Sequence, residues 1–312
     1  MADPLPPAVS ILVVAYNSRR CIAECLASVS AGAKTATYET LLIDNGDDGS
    51  EALVGREFPD VRIMPGCGNI GFGPAVNRLA AQARGQYLLL LNPDVVVEPG
   101  AIDALVWAAS EDTGVAAWGG VTLGVSGEPD SGNFVSIPTL RGLLRGVSGH
   151  GDPALSGAAM SAVPSGGFVL IDRAAWAQAG GFDEEYFLYS EEIDLFYRLA
   201  RERWGLRRVT AARARHDIAH GGGLAQRRLL FMAAGRAEFL RKHWSAPARW
   251  TGVLLIWLAA LVRVVAGLFG GRWNRHWRGL GQGYRGVAFH PRLWMHGYDP
   301  RRGLSRQWNL VR

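Results

Sequence analysis

The sequence predicts an α/β fold: a mostly parallel sheet flanked by helices, followed by a helical C-terminal region. Three observations carry this. Through the first half of the chain, short apolar runs alternate with helically spaced apolar positions, the pattern of βαβ units. Three predicted strands end in short polar groups, Ala15-Tyr16-Asn17, Asp44-Asn45-Gly46 and Asn92-Pro93-Asp94, where an open parallel sheet holds its ligands. Finally, Gly252 to Phe269 is apolar except for Arg263, and an arginine-rich tail follows it.

Taken in order, Val9 to Tyr16 reads as a buried strand, and Asn17 or Ser18 caps a helix bearing Ile22, Cys25, Leu26 and Val29 on one stripe. Tyr38 to Asn45 is the second strand and Val61 to Gly66 a shorter third. A helix from Gly71 to Arg84 aligns Val76, Leu79, Ala80 and Ala83, and Gln86 to Asn92 is the fourth strand. Residues 124–162, rich in Gly, Ser and Pro, read as a long functional loop. Ser165 to Arg173 restores strand character. A helix from about Ser190 to Trp204, a strand from Leu206 to Thr210 and a helix from Leu224 to His243 complete a domain spanning 1–245, with 246–312 as the appendage.

At 48% hydrophobic and 20% charged, the 312-residue chain has the composition of a protein with a real core, which excludes a disordered chain. Cys21, Cys25 and Cys67 form neither a disulfide framework nor a zinc set, as expected of reduced thiols in a cytosolic protein. The start, MADPLPPAVS, lacks the basic and apolar regions of a signal peptide, so the main domain is expected in the cytoplasm. Charge is uneven. From Gly271 onward nine arginines face one acid, Asp299, a net +8 that leaves −3 for the preceding residues out of +5 overall. Such a tail prefers the cytoplasmic side of a membrane, as does the domain before it. The apolar helix between them is therefore expected to lie on the surface or re-enter, with Arg263 snorkelling, the alternative being a helix packed on the domain or on a partner subunit. An anionic membrane surface, and no nucleic acid, is the expected partner of the tail.

Pro93 removes an amide donor and fixes φ, so it ends strand pairing and turns the chain. The turn can aim the Asp94 carboxylate at a hard cation held between protein and substrate phosphates, or Asp94 can simply close an Asx turn. Asp44, at the end of the second strand, suits a nucleotide ribose or base, and equally suits a turn. Gly68 to Asn77 (GNIGFGPAVN) leads into a helix N-terminus that suits phosphates or sugar hydroxyls, but its spacing matches neither a dinucleotide fingerprint nor a P-loop. Glu191 and Glu192 open a helix behind Ser190. Helical geometry groups Glu191 with Asp194, Arg198 and Arg201 and sets Glu192 nearer Leu195, Phe196 and Leu199. A carboxylate on that inner side has the raised pKa useful to a general base. His220 precedes a glycine run that permits close approach of backbone to ligand.

In this order, VSILVVAYN, LLIDNGDDGS, NIGFGPAVNRL, LLLLNPDVVV, SGGFVLIDRAAW, GGFDEEYFLYSEEIDLFYRL and HGGG resemble family 2 glycosyltransferases of the GT-A fold, most closely their bacterial rhamnosyltransferase-like branch. The resemblance covers about residues 8 to 243. It implies transfer of a sugar from a nucleoside-diphosphate donor to an acceptor hydroxyl with inversion. dTDP-rhamnose is the favoured donor, UDP-sugars are the alternative, and a lipid-linked or glycan acceptor in cell-wall or surface polysaccharide assembly is the natural setting. It implies that Ala15, Tyr16, Asn17, Asp44, Asn45, Asn69, Gly71, Asn77 and Asn92 bind the nucleotide-sugar. Asp94 and His220 then hold Mg²⁺ or Mn²⁺, and Gly166, Gly167 and Phe168 lie under the acceptor. The catalytic group falls among Glu192, Glu191 and Asp194. Glu192 takes the base position, where relatives carry Asp after Glu, so Glu191 remains open as the base. A sugar-nucleotide pyrophosphorylase would need a glycine-rich loop after the first strand, which AYNSRRC lacks. A non-catalytic binding or scaffold protein on the same fold would have no need of Asp44, Asp94 and Glu192 together.

Overall fold

The computed structural model describes residues 6–124, 127–129, 133–148, 162–216, 226–270, 274–299 and 301–304. In chain order the elements are β1 (Val9–Ala15), α1 (Ile22–Gly32), β2 (Tyr38–Asp44), α2 (Ser50–Glu57), β3 (Arg62–Met64), α3 (Phe72–Gln82), β4 (Tyr87–Leu91), β5 (Val95–Val97), α4 (Ala101–Glu111) and β6 (Val115–Leu123). There follow β7 (Phe134–Ser136), α5 (Leu140–Val147), β8 (Ala162–Pro164), β9 (Phe168–Asp172), α6 (Arg173–Ala179), α7 (Glu191–Arg201) and β10 (Gly205–His216). The chain ends with α8 (Gln226–His243), α9 (Ala246–Gly270), α10 (Arg275–Phe289) and a 3-10 turn at Pro291–Leu293. These elements form two compact units. One holds Met1–Val135, Val163–Asp183 and Leu195–Ile218; the other holds Ser136–Ala162, Glu184–Asp194 and Ala219–Arg312.

The first unit is built on an eight-stranded mixed sheet of order β3-β2-β1-β4-β9-β6-β10-β5. β3, β2, β1 and β4 run parallel, as do β6 and β10. β9 enters antiparallel between β4 and β6, and β5 pairs antiparallel with the end of β10. Every residue of β1 and β4 is buried. That explains their unbroken apolar runs, because strands covered on both faces do not alternate.

Local chemistry sets the strand exits. β1 stops at Ala15, and the Tyr16 amide leaves the ladder to donate to Ser18 Oγ at 3.0 Å. Ser18 therefore shapes the turn and is not the cap, and α1 begins only at Ile22. After β4, the Asn92 carbonyl accepts from Val95 N at 3.1 Å, closing a turn with Pro93 and Asp94 at its corner. β10 runs six residues beyond the predicted Thr210. Its register shifts between Arg208 and Arg213, after which Ala214–His216 pair with Val97–Val95. The stretch predicted as a loop contains β7 and α5 among its described residues.

In the second unit α9 packs against α5, α8 and α10. α9 and α10 cross where Gly267 meets Gly281: a Cβ on Gly267 would lie 2.6 Å from the Gly281 Cα, so only glycine permits this approach. Arg263 does not snorkel as predicted. It donates to the carbonyls of Gly146 and Ala259, both at 2.9 Å, and stacks 5.2 Å over the Tyr284 ring. The single charge of the apolar helix thereby adds a second donor to a carbonyl at the end of α5 that also accepts from the Ser148 amide.

Candidate active site

The predicted residues fall into two groups, one in each unit. In the first unit they gather at the carboxyl ends of β1, β2 and β4. Asn17 adopts a left-handed φ of +52°, which turns the chain off β1. Asp44 is buried, and backbone amides engage both its oxygens: Gly46 N at 2.8 Å, and Glu51 N in the first turn of α2 at 3.1 Å. Each oxygen keeps a second lone pair for a ligand. Asn45 donates through Nδ2 to Gly71 O at 3.0 Å, while its buried Oδ1 has no hydrogen-bond partner among the described residues. An orphaned buried acceptor suits a donor N–H or O–H from a ligand. Asn69 Oδ1 accepts from Gly71 N at 3.2 Å and sets the turn into α3. Asn77 is engaged elsewhere: its amide exchanges two hydrogen bonds with the Phe182 backbone, at 2.8 and 2.9 Å.

Asp94 stands at the corner of the Asn92–Val95 turn with 36% of its side chain exposed. Beneath it, the Cys25 thiol touches Asn92 O at 3.4 Å, and burial, aided by the Asp94 charge, pushes that thiol far up. Cys25 is thus a packed neutral group and no nucleophile. Gly166 and Gly167 lead into β9. The Gly167 carbonyl accepts from Asn92 N at 3.0 Å, and buried Phe168 pairs with Leu91.

The carboxylate group belongs to the second unit. Tyr189 (φ +66°) and Ser190 (φ +74°) are consecutive left-handed residues, neither a glycine. Such conformations cost of order 1–3 kcal/mol each and persist only where their surroundings enforce them. From this turn the chain enters α7 at Glu191. The burial order reverses the prediction, since Glu191 is only 4% exposed whereas Glu192 is half-buried. One oxygen of each, Oε2, is shielded and has no hydrogen-bond partner among the described residues. Burial, then the adjacent Glu192 charge, holds Glu191 well above the usual carboxylate range, and burial raises Glu192 as well. Asp194 is 1% exposed and held by His243 Nε2 at 2.6 Å and the Tyr186 hydroxyl at 3.4 Å. Both contacts lie within the second unit, close to the helix start.

A family model described as glycosyl transferase family 2 matches residues 10–136. An N-acetylglucosaminyl-diphospho-decaprenol L-rhamnosyltransferase of Mycobacterium tuberculosis is 32% identical over 292 residues, covering 80% of this chain and 90% of that protein. The chain belongs to glycosyltransferase family 2. Its fold is that of the GT-A glycosyltransferases. The mannosyltransferase PcManGT of Pyrobaculum calidifontis, solved with GDP-Man and Mn²⁺, matches with a TM-score of 0.59 at 15% identity, over 92% of this chain and 88% of that one. GalNAc-T7, solved with UDP, GalNAc and Mn²⁺, matches with a TM-score of 0.57 at 14% identity, over 78% of this chain and 49% of that one.

For a family 2 glycosyltransferase the fit of a divalent cation matters. Among the described residues no three His, Cys, Asp or Glu side chains form a cluster able to hold a metal. Asp94 does have a partner that the sequence reading missed: His216 Nε2 lies 3.3 Å from its Oδ2, with 22% of the His216 side chain exposed. One carboxylate and one imidazole fit a cation whose remaining ligands are diphosphate oxygens and water; the nitrogen ligand suits Mn²⁺ better than Mg²⁺, which prefers oxygen alone. His216 was legible in the alternation Ala212, Ala214, His216, which continues β10 and sends all three side chains the same way. The other predicted ligand, His220, lies outside the described residues.

Proposed function

We propose that this family 2 enzyme is an inverting, divalent-metal-dependent glycosyltransferase. In this reading it moves rhamnose from dTDP-rhamnose to a hydroxyl of a polyprenyl-diphosphate-linked saccharide at the cytoplasmic face of a membrane. The observation that carries the chemistry is the carboxylate pair at a strained helix start, with both members raised in proton affinity by burial. Glu191 lies deeper, and Glu192, partly accessible, is the one placed to meet the acceptor.

The acceptor oxygen attacks the anomeric carbon from the face opposite the diphosphate, the carbon–oxygen bond to the diphosphate breaks, and Glu192 takes the hydroxyl proton. General-base help of this kind is worth roughly 10²–10⁴-fold. Ala15, Tyr16, Asn17, Asp44 and Asn45 hold the nucleotide, with Asn45 Oδ1 accepting from its base or ribose. Asn69, Gly71 and Asn92 line the donor, and Gly166, Gly167 and Phe168 floor the acceptor. Asp94 and His216 would hold the divalent cation, and bound there it would supply charge neutralisation for the departing diphosphate. The rhamnosyl and lipid-linked assignments are supported by the mycobacterial relative's stated activity.

Membrane attachment is supported by α9, the one described helix long and apolar enough to cross a membrane, with 33% of its apolar window buried. Its buried stripe (Val253, Ile256, Ala260, Val264) packs inward, and Leu254, Val262, Val265 and Phe269 form an exposed one. Leu140 and Leu144 of α5 and Trp277 of α10 add exposed apolar groups, and Arg141, Arg145, Arg278 and Arg285 are exposed on the same two helices. A helix half packed and half bare suits lying in the interface more than spanning it, and the arginines suit anionic headgroups.

The test is nucleotide release from dTDP-rhamnose and from UDP-sugars, with Mn²⁺, with and without N-acetylglucosaminyl-diphospho-decaprenol. Acceptor-dependent release of dTDP is the expected result. Turnover confined to another donor, or none with this acceptor, would contradict the substrate assignment.

A further inference from the structure

The strained turn before Glu191 is held by residues far away in sequence, all within the second unit. From α8, Gly235 lies so near that a Cβ there would collide with the Tyr189 carbonyl and come within 2.9 Å of Ser190 Oγ. Arg228 sits 5.9 Å from the centre of the Tyr189 ring. From the C-terminal segment, the Tyr298 hydroxyl shares its proton between the carbonyls of Leu188 and, at 3.3 Å, Phe231. Leu188 is the residue just before the left-handed pair.

Tyr298 is itself fixed. Its amide donates to Glu238 Oε2 at 3.0 Å, and Glu238 is fully buried and paired with Arg241. Gly297 has a φ of +68° and no room for a Cβ beside Glu238. Buried Trp294 donates to Val287 O at 2.9 Å, and Leu304 N closes the segment on Gly297 O at 2.8 Å. Trp294, Tyr298 and Leu304 are therefore packed into the interior, while Arg301 and Arg302 stay exposed.

We propose that Tyr298 is a positioning residue for the carboxylate pair, clamping the Leu188 carbonyl so that the Tyr189–Ser190 turn presents Glu191 and Glu192 in their buried setting. The inference rests on Glu192 as the base. The titratable groups facing the pair are Tyr189, Tyr298 and Arg228, with Glu238 and Arg241 behind Tyr298. Without the hydroxyl, the turn is free to relax and water reaches the carboxylates.

The test is Tyr298→Phe in the full chain, assayed by dTDP release from dTDP-rhamnose with the decaprenol-linked acceptor across pH. The expected result is kcat down about 10- to 100-fold, donor KM within about twofold, and the acid limb of the kcat profile moved to lower pH. Gly235→Ala, which disturbs the turn from its other side, should move the same limb in the same direction. A folded Tyr298→Phe enzyme with unchanged kcat and an unmoved limb would overturn the inference. So would equal loss in kcat and folded fraction with the limb unmoved. Glu191→Gln and Glu192→Gln report on the base separately. Full turnover in both removes the reading beneath the inference, whereas loss in Glu192→Gln beside an unaffected Tyr298→Phe sinks the inference alone.

Discussion

Glu191 and Glu192 leave the same strained turn yet meet different surroundings, and the difference shows in two measurable ways. Both bind a proton more tightly folded than unfolded. Stability therefore falls as pH rises from the ordinary glutamate range, about 4.3, through the raised folded values, and the penalty is fully present at higher pH. Glu191→Gln removes the deeper of the two carboxylates, and its Tm above that window should rise. Activity runs the other way, since the base must be ionised. The acid limb of kcat should lie above the ordinary carboxylate range, and Glu192→Gln should cost at least about 10²-fold with donor binding retained. At the strand ends, His216→Ala should raise the Mn²⁺ concentration for half-maximal activity about tenfold or more, read by titrating metal into EDTA-stripped enzyme. An unchanged titration would remove His216 from the metal.

At the scale of elements, much was legible because the physics was local. β1 and β4 announce themselves as unbroken apolar runs, and Pro93 marks the turn that lifts Asp94 off the sheet. The direction of β9 was not legible, because SGGFVLIDR reads the same whether it pairs parallel or antiparallel. His216 lies beyond the predicted end of the strand at Thr210, because the register shift between Arg208 and Arg213, which lets β10 continue, is set by pairing with β6 and leaves no mark in the sequence. Glu191 and Glu192 were legible as a pair but not in burial order, because the Tyr189–Ser190 turn rotates the helix start. Arg263 read as a charge seeking water because its partner, the Gly146 carbonyl, comes from a helix hidden among glycines. The α9–α10 crossing yields its own prediction: Gly267→Val should cost about 1–3 kcal/mol in thermal or denaturant unfolding, because the Gly281 backbone cannot move aside cheaply.

For the whole molecule, the uneven charge and the bare stripe of α9 bear on where the enzyme works. The chain should cosediment with vesicles containing anionic lipid, and less with zwitterionic ones. Raising salt to about 0.5 M should weaken the binding without abolishing it, because the arginine contribution is screened and the apolar one is not. Val265→Asp with Phe269→Asp should abolish cosedimentation. Binding that vanishes wholly in salt would make the attachment electrostatic alone and remove the α9 stripe from it.

Whether Glu192 serves as the base in sugar transfer to a lipid-linked acceptor is decided by single-turnover transfer from dTDP-rhamnose to N-acetylglucosaminyl-diphospho-decaprenol. Wild-type enzyme should form a rhamnosylated lipid of inverted anomeric configuration. Glu192→Gln should bind dTDP-rhamnose with similar affinity and form that product at least about 10²-fold more slowly. Equal rates in the two enzymes would remove Glu192 from the role of base, and a product that retains configuration would exclude an inverting transfer.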